Sequence, residues 1–171
     1  MPNTEISLLQ YNGFNSNVIT STYTTTDGSF HLQFHSNNLA IGYLLTKNSK
    51  PFIVVLSEED IVLKGETLSH PETIKIIEGK ENQLFGQYAL EHPKREQALS
   101  AWDYLLKMYK TDTLFKNKKS IVKNIEREII SIKNEDDYFL KDLPQNSYIS
   151  WYLPMRKLVS SVPIVAQYRP K

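Results

Sequence analysis

Hydrophobic and polar positions follow a period of two in the first half of the chain and a period near 3.6 in the second. The clearest alternation is Ser29–His35, where Phe30, Leu32 and Phe34 interleave with His31, Gln33 and His35. That pattern predicts a strand with one face on a core and one in water. Asp27-Gly28 precedes it and suits a tight hairpin turn, which would pair it with Asn17–Thr24, rich in Thr and Val as a pleated surface prefers. Asn12-Gly13 is a second turn signal after Ile6–Tyr11. Leu39–Thr46 and Pro51–Leu56 flank the turn-like Lys47-Asn48-Ser49-Lys50. Short runs at Asp60–Leu63 and Thr73–Ile77 follow, punctuated by Gly65 and Gly79. Six or seven short, closely spaced strands predict an antiparallel sandwich or meander rather than βαβ units.

From Glu81 the rhythm lengthens. Leu84, Phe85, Tyr88 and Ala89 share one side of a helix expected to end before Pro93, which fits the first turn of the next helix. Ala98, Ala101, Trp102, Leu105, Leu106 and Tyr109 continue as an i, i+3/i+4 stripe. Ser120 is placed to cap a helix carrying Ile121, Ile125, Ile129 and Ile132 on one face. Ser147 is placed to cap a last helix, Tyr148 to Val162, which Pro154 should kink or divide near Trp151. The expected fold is therefore α+β: an antiparallel β-sandwich-like unit over residues 1–80, then a helical unit over residues 81–171. The aromatic helix faces need an apolar partner, which predicts that the two pack as one body.

Composition sharpens this division. Residues 1–80 carry 5 basic and 8 acidic side chains and no Arg, whereas residues 81–171 carry 15 basic and 11 acidic, with both Trp and all four Arg. Over all 171 residues the net charge is only +1, which gives no electrostatic footprint for nucleic acid. No run approaches the roughly 18 apolar residues of a membrane span. The N-terminal Met1-Pro2-Asn3-Thr4-Glu5 lacks the basic start and apolar stretch of a secretory leader. The chain has no cysteine, which excludes disulfides, thiolate metal sites and sulfur catalysis within these residues.

Candidate chemistry is sparse. His31 and His35 are four apart on a predicted strand, about 13 Å along the chain and too far to share one first-row metal, so they read as solvated. His70 and His92 each precede a proline and read as loop and helix-boundary residues. Glu58-Glu59-Asp60 lacks the alternating ligands and glycine of a calcium loop and reads as a solvated turn. Glu135-Asp136-Asp137 reads as the polar start of a helix, where carboxylates suit the macrodipole. Glu126 and Glu128, two apart, point to different helix faces and form no dyad. The glycines Gly13, Gly28, Gly42, Gly65, Gly79 and Gly86 never cluster into a phosphate loop or dinucleotide fingerprint, and no Gly-x-Ser-x-Gly elbow occurs. No catalytic residue, metal ligand or cofactor is predicted. An enzyme of scattered Ser, His and carboxylates would need a histidine within reach of a carboxylate and a hydroxyl inside a cleft.

The most distinctive stretch is Tyr148-Ile149-Ser150-Trp151-Tyr152-Leu153-Pro154-Met155-Arg156-Lys157-Leu158. Ile149, Tyr152, Leu153 and Met155 are expected in the core, while Tyr and Trp can anchor a partly exposed contact surface. Tyr148, Trp151, Tyr152 and Arg156 are the predicted interaction residues.

Three segments carry a family resemblance. They are Tyr23 to Phe34 with Asp27-Gly28-x-Phe30, Ile77-Glu78-Gly79-Lys80-Glu81-Asn82-x-Leu84-Phe85, and Ser147-Tyr148-Ile149-Ser150-Trp151-Tyr152-Leu153 with Arg156-Lys157-Leu158. Together they resemble the N-terminal region of TlpA/ResA-like thiol–disulfide oxidoreductases of Gram-negative envelopes, a β-rich domain of unknown function and helices followed by a thioredoxin-like domain. The resemblance implies a periplasmic or lipid-anchored parent, of which this sequence is an N-terminal portion and the C-terminal thioredoxin-like domain its partner. The family's catalytic Cys-x-x-Cys matches no position here, so no catalytic residue carries over. The function so implied is a non-catalytic accessory or interaction region of an envelope thiol–disulfide oxidoreductase. The alternative is a stand-alone β-sandwich module holding a small ligand or glycan.

Overall fold

A computed structural model describes residues 2–35, 39–47, 49–115 and 118–161; Asn48 of the expected turn and Val162, the expected end of the last helix, lie outside the described residues. The fold is α+β. Its elements run β1 (Glu5–Asn12), β2 (Asn15–Tyr23), β3 (Ala40–Leu45), β4 (Phe52–Leu56), β5 (Val62–Lys64), β6 (Lys75–Glu78), α1 (Lys80–Thr111), α2 (Lys119–Lys141) and α3 (Tyr148–Ser161). The chain forms two compact units. One holds the chain through Phe85 together with Ser147–Ile149; the other holds Gly86–Asn146 and the chain from Ser150. The β-rich unit therefore takes in the first turn of α1 and the start of α3, beyond the boundary expected at residue 80.

In the β-rich unit, four strands form an antiparallel sheet ordered β2-β1-β3-β4, while β5 and β6 pair separately. Strands β1 and β2 join through the two-residue loop Gly13-Phe14, with Gly13 at φ 63° supplying the positive φ that such hairpins require. The register sets Leu8 opposite Leu44, Gly42 opposite Val54 and Ala40 opposite Leu56. One sheet face thus carries the buried cluster Ile6, Leu8, Ala40, Leu44, Val54 and Leu56, joined by Leu68.

Ser29–His35 departs from expectation. Phe30, Leu32 and Phe34 do pack against that cluster and His31, Gln33 and His35 are exposed, so the alternation is real. The segment nonetheless joins no ladder. The preceding turn closes over five residues: Thr25 N–H donates to the Ser29 carbonyl (2.8 Å) and Gly28 N–H to the Thr25 carbonyl (3.0 Å). Asp27 accepts from the Thr25 hydroxyl and the Ser29 amide, and these bonds hold its carboxyl down at about 2. The turn sends the chain across the core instead of back along β2.

The edge of the sheet is closed by a side chain. Val55 N–H donates to Asn82 Oδ1 (2.7 Å), and Asn82 Nδ2 donates to the Val55 carbonyl (2.9 Å). Val55 and Asn82 are essentially inaccessible, so the amide of Asn82 stands in for a neighbouring strand at the free edge of β4.

Three helical expectations are corrected. Pro93 lies inside α1, which runs unbroken to Thr111. The residue four before it, Ala89, is exposed, so the carbonyl that proline deprives of a donor can bond water. Pro154 lies within α3, so of the expected kink or division the division does not occur. Ser120 caps nothing: α2 starts at Lys119 behind Lys118, with no side-chain cap. The apolar faces themselves agree. Trp102, Leu105, Leu106 and Tyr109 are half-buried on α1, and Ile125 and Ile129 are buried on α2. No helix among the described residues is long and apolar enough to cross a membrane.

Two substitutions test this account. Asn82→Ala leaves both Val55 backbone groups buried without partners, and a loss of roughly 2–4 kcal/mol is expected in denaturant unfolding. A Cβ at Gly65 would meet the Ile74 backbone at 2.9 Å, so Gly65→Ala should cost about 1–3 kcal/mol by the same measurement.

Candidate functional site

The β-rich unit contains an apolar cleft of about 850 Å3. Its floor is the sheet face, where Leu8, Val54 and Leu56 are almost wholly covered. The open volume is lined by the half-buried Phe30, Leu32, Phe34, Ile61, Leu63 and Ile74. Polar groups line it too: Thr4, Thr24 and Thr46, with the Thr4 amide donating to Thr24 Oγ1 (2.9 Å). Five carboxylates, of Asp27, Glu59, Asp60, Glu66 and Glu78, line the cleft against one lysine, Lys64. His31 also lines it and makes no hydrogen bond among the described residues. Neither Tyr nor Trp appears among the described lining residues, and the aromatic rings there are those of Phe30 and Phe34.

The helical unit contains a polar centre that the sequence reading did not find. Asp136, expected at the polar start of a helix, lies deep in α2 and is 4 % exposed. Its Oδ1 accepts from His92 Nδ1 (3.0 Å) and Arg95 (3.4 Å); its Oδ2 accepts from Lys157 Nζ (2.7 Å) and the Tyr88 hydroxyl (3.3 Å). His92 is thus an interior member of α1, not a boundary residue, and Tyr88 stacks on it at 4.8 Å. Burial works against the charge on Asp136, but the bonds from Lys157 and His92 outweigh it and hold the carboxyl below its ordinary range. Burial likewise disfavours charged Lys157, yet its bonds to Asp136 and Asp137 carry its amine above the usual lysine value. Burial, then the charge of Asp136, pushes the Tyr88 hydroxyl well up.

A histidine on a carboxylate with a hydroxyl nearby meets part of the enzymatic requirement. However, four donors occupy both oxygens of Asp136, leaving no lone pair directed toward a substrate. The centre is a saturated charge network that ties α1, α2 and α3 of this unit together. A signal for it was present. Ile125, Ile129, Ile132 and Asp136 continue one helical stripe, and Tyr88, His92 and Arg95 recur at i, i+4 and i+7.

The four predicted contact residues are divided between the two units. Tyr148 is buried in the β-rich unit, while Trp151 is 52 % exposed, Tyr152 is half-buried and Arg156 is exposed. Trp151 and Tyr152 meet edge to face at 6.1 Å. His70 is exposed and pairs with Glu72 at 3.3 Å. Glu59 accepts the Glu81 amide at 3.2 Å, and Glu126 pairs with Lys110 at 2.7 Å. No group of three or more His, Cys, Asp or Glu among the described residues could hold a metal ion. No family model, curated protein or solved structure matches the chain.

The two shifts fix a pH window. Stability contributed by the lowered Asp136 is complete above the ordinary aspartate value, about 3.9, and is lost as pH falls through the folded value below it. That contributed by the raised Lys157 is complete below about 10.4 and is lost as pH climbs through the folded value above it. Asp136→Asn should flatten both limbs of a stability–pH curve and cost roughly 2–4 kcal/mol near neutrality, measured by denaturant titration.

Proposed function

We propose that this chain is a non-catalytic binding module whose β-rich unit accepts an apolar ligand in its cleft. The observation that carries the reading is a volume of about 850 Å3 walled by Phe30, Leu32, Phe34, Ile61 and Leu63. That size suits a small molecule or a short segment of chain, since ligand sites of about 300–1,000 Å3 are lined mainly by apolar side chains with a few polar groups at fixed places. The apolar walls favour a ligand that presents aliphatic groups, whether a small molecule or a segment of chain, over a glycan.

A second reading draws on α3. Trp151, Met155, Leu158 and Val159 are exposed at i, i+4, i+7 and i+8, an apolar stripe of the kind that contacts a protein partner. It supports the accessory role implied by the resemblance to envelope thiol–disulfide oxidoreductases, with a thioredoxin-like domain as partner and the periplasm or cell envelope as its place of action.

Nile red fluorescence tests the first reading. Emission should rise saturably with wild-type protein. Leu32→Arg and Leu63→Arg, each checked by circular dichroism, should weaken binding by about tenfold or more, because a buried guanidinium is costly in an apolar site. Undiminished binding by a folded variant would remove the cleft as the site. For the second reading, Trp151→Ala with Leu158→Ala should retain the thermal midpoint and weaken association with a thioredoxin-like domain supplied in trans; unchanged association would remove it.

A further inference from the structure

We propose that the ligand of the cleft is an extended, basic polypeptide segment that adds to the β-rich unit as a strand, an inference that rests on the cleft being a binding site.

Two borders of the cleft offer unused backbone. Residues 30–35 alternate as a strand does and set Phe30, Leu32 and Phe34 on the core. Yet their amides and carbonyls make no hydrogen bond among the described residues. Val62, Leu63 and Lys64 of β5 also line the cleft, and among the described residues β5 has one ladder partner, β6. A backbone with a free row of donors and acceptors is a template for another strand, and main-chain bonds then supply affinity while alternate side chains supply specificity. An incoming strand of period two would turn every second side chain onto the apolar floor.

Charge selects what that strand carries. Asp27, Glu59, Asp60, Glu66 and Glu78 outnumber Lys64 around the cleft, so the outward side chains of the guest should be Lys or Arg. An acidic guest meets repulsion at several points, and like-charge juxtaposition discriminates strongly between partners. The guest is therefore an apolar–basic alternating peptide rather than an anionic lipid.

The test uses the full chain and a fluorescein-labelled peptide, Lys-Val-Lys-Val-Lys-Val-Lys, followed by anisotropy at low ionic strength. Saturable binding is expected. A Glu-for-Lys copy should bind about tenfold weaker or less, and Asp60→Asn with Glu66→Gln should weaken the basic peptide severalfold. A copy N-methylated at every amide keeps its side chains but can donate to no ladder on either edge, and it too should lose about tenfold. Hydrogen exchange should show new protection at the amides of residues 30–34 when the basic peptide is bound. Equal binding by the N-methylated copy, or protection confined elsewhere, would overturn strand addition. If Nile red fills the cleft and the peptide fails, the peptide proposal falls and the cleft reading stands; if neither binds, both fall.

Discussion

The β-rich unit depends on how its open sheet edge is satisfied. Buried backbone amides and carbonyls must find partners, and β4 ends the sheet with Val55 wholly covered. Asn82 meets the need with a single primary amide, which offers one acceptor and two donors in nearly the geometry of a peptide unit. Because Asn82 sits in the first turn of α1, the bond also pins the start of that helix to the sheet. The Glu81 carboxyl beside it accepts the Tyr148 amide, so the beginning of α3 is fastened in the same unit. Burial raises this carboxyl above its ordinary range, against the lowering effect of the Tyr148 and Ile149 amides.

The two units solve the same problem with different chemistry. In the sheet, apolar contact supplies the driving force and one neutral amide closes the edge. Among the helices, a buried carboxylate collects a phenol, an imidazole, a guanidinium and an ammonium. Removing one partner from such a set leaves charge uncompensated, and this makes Asp136 an organiser of the helical unit rather than a reactive group. The cleft differs from both: residues 30–35 along it make no backbone hydrogen bond among the described residues, and lining side chains such as Phe30, Leu32 and Phe34 are only half-covered.

Much of this architecture was legible along the chain. Turn signals between β-prone runs placed β1 to β4, and the 3.6 period placed the helical half, because burial of one face is the constraint that the helical stripes encode. Asn12-Gly13 gave the hairpin loop for the same local reason. The sequence was misleading where a local signal competes with a distant one. The alternation of residues 29–35 fixed which side chains enter the core but says nothing about where backbone partners lie. Pro93 and Pro154 read as breaks, although a proline whose orphaned carbonyl can reach water need not end a helix. Asp136 and His92 read as surface groups because each was judged by its immediate neighbours; only the pairing of two helix faces reveals that donor and acceptor stripes coincide. The aromatic run at 148–158 was noticed, but its division between a buried Tyr148 and an exposed Trp151 belongs to helix phase and tertiary burial.

The placement of the tryptophans has a practical consequence. Trp102 and Trp151 both belong to the helical unit, whereas the β-rich unit has tyrosines such as Tyr11, Tyr23 and Tyr43. Indole emission is thus a built-in reporter of the helices alone, while far-ultraviolet dichroism registers the whole chain. Coincident melting curves from the two optical signals would mark a single cooperative body, and separated ones would mark independent melting of the halves.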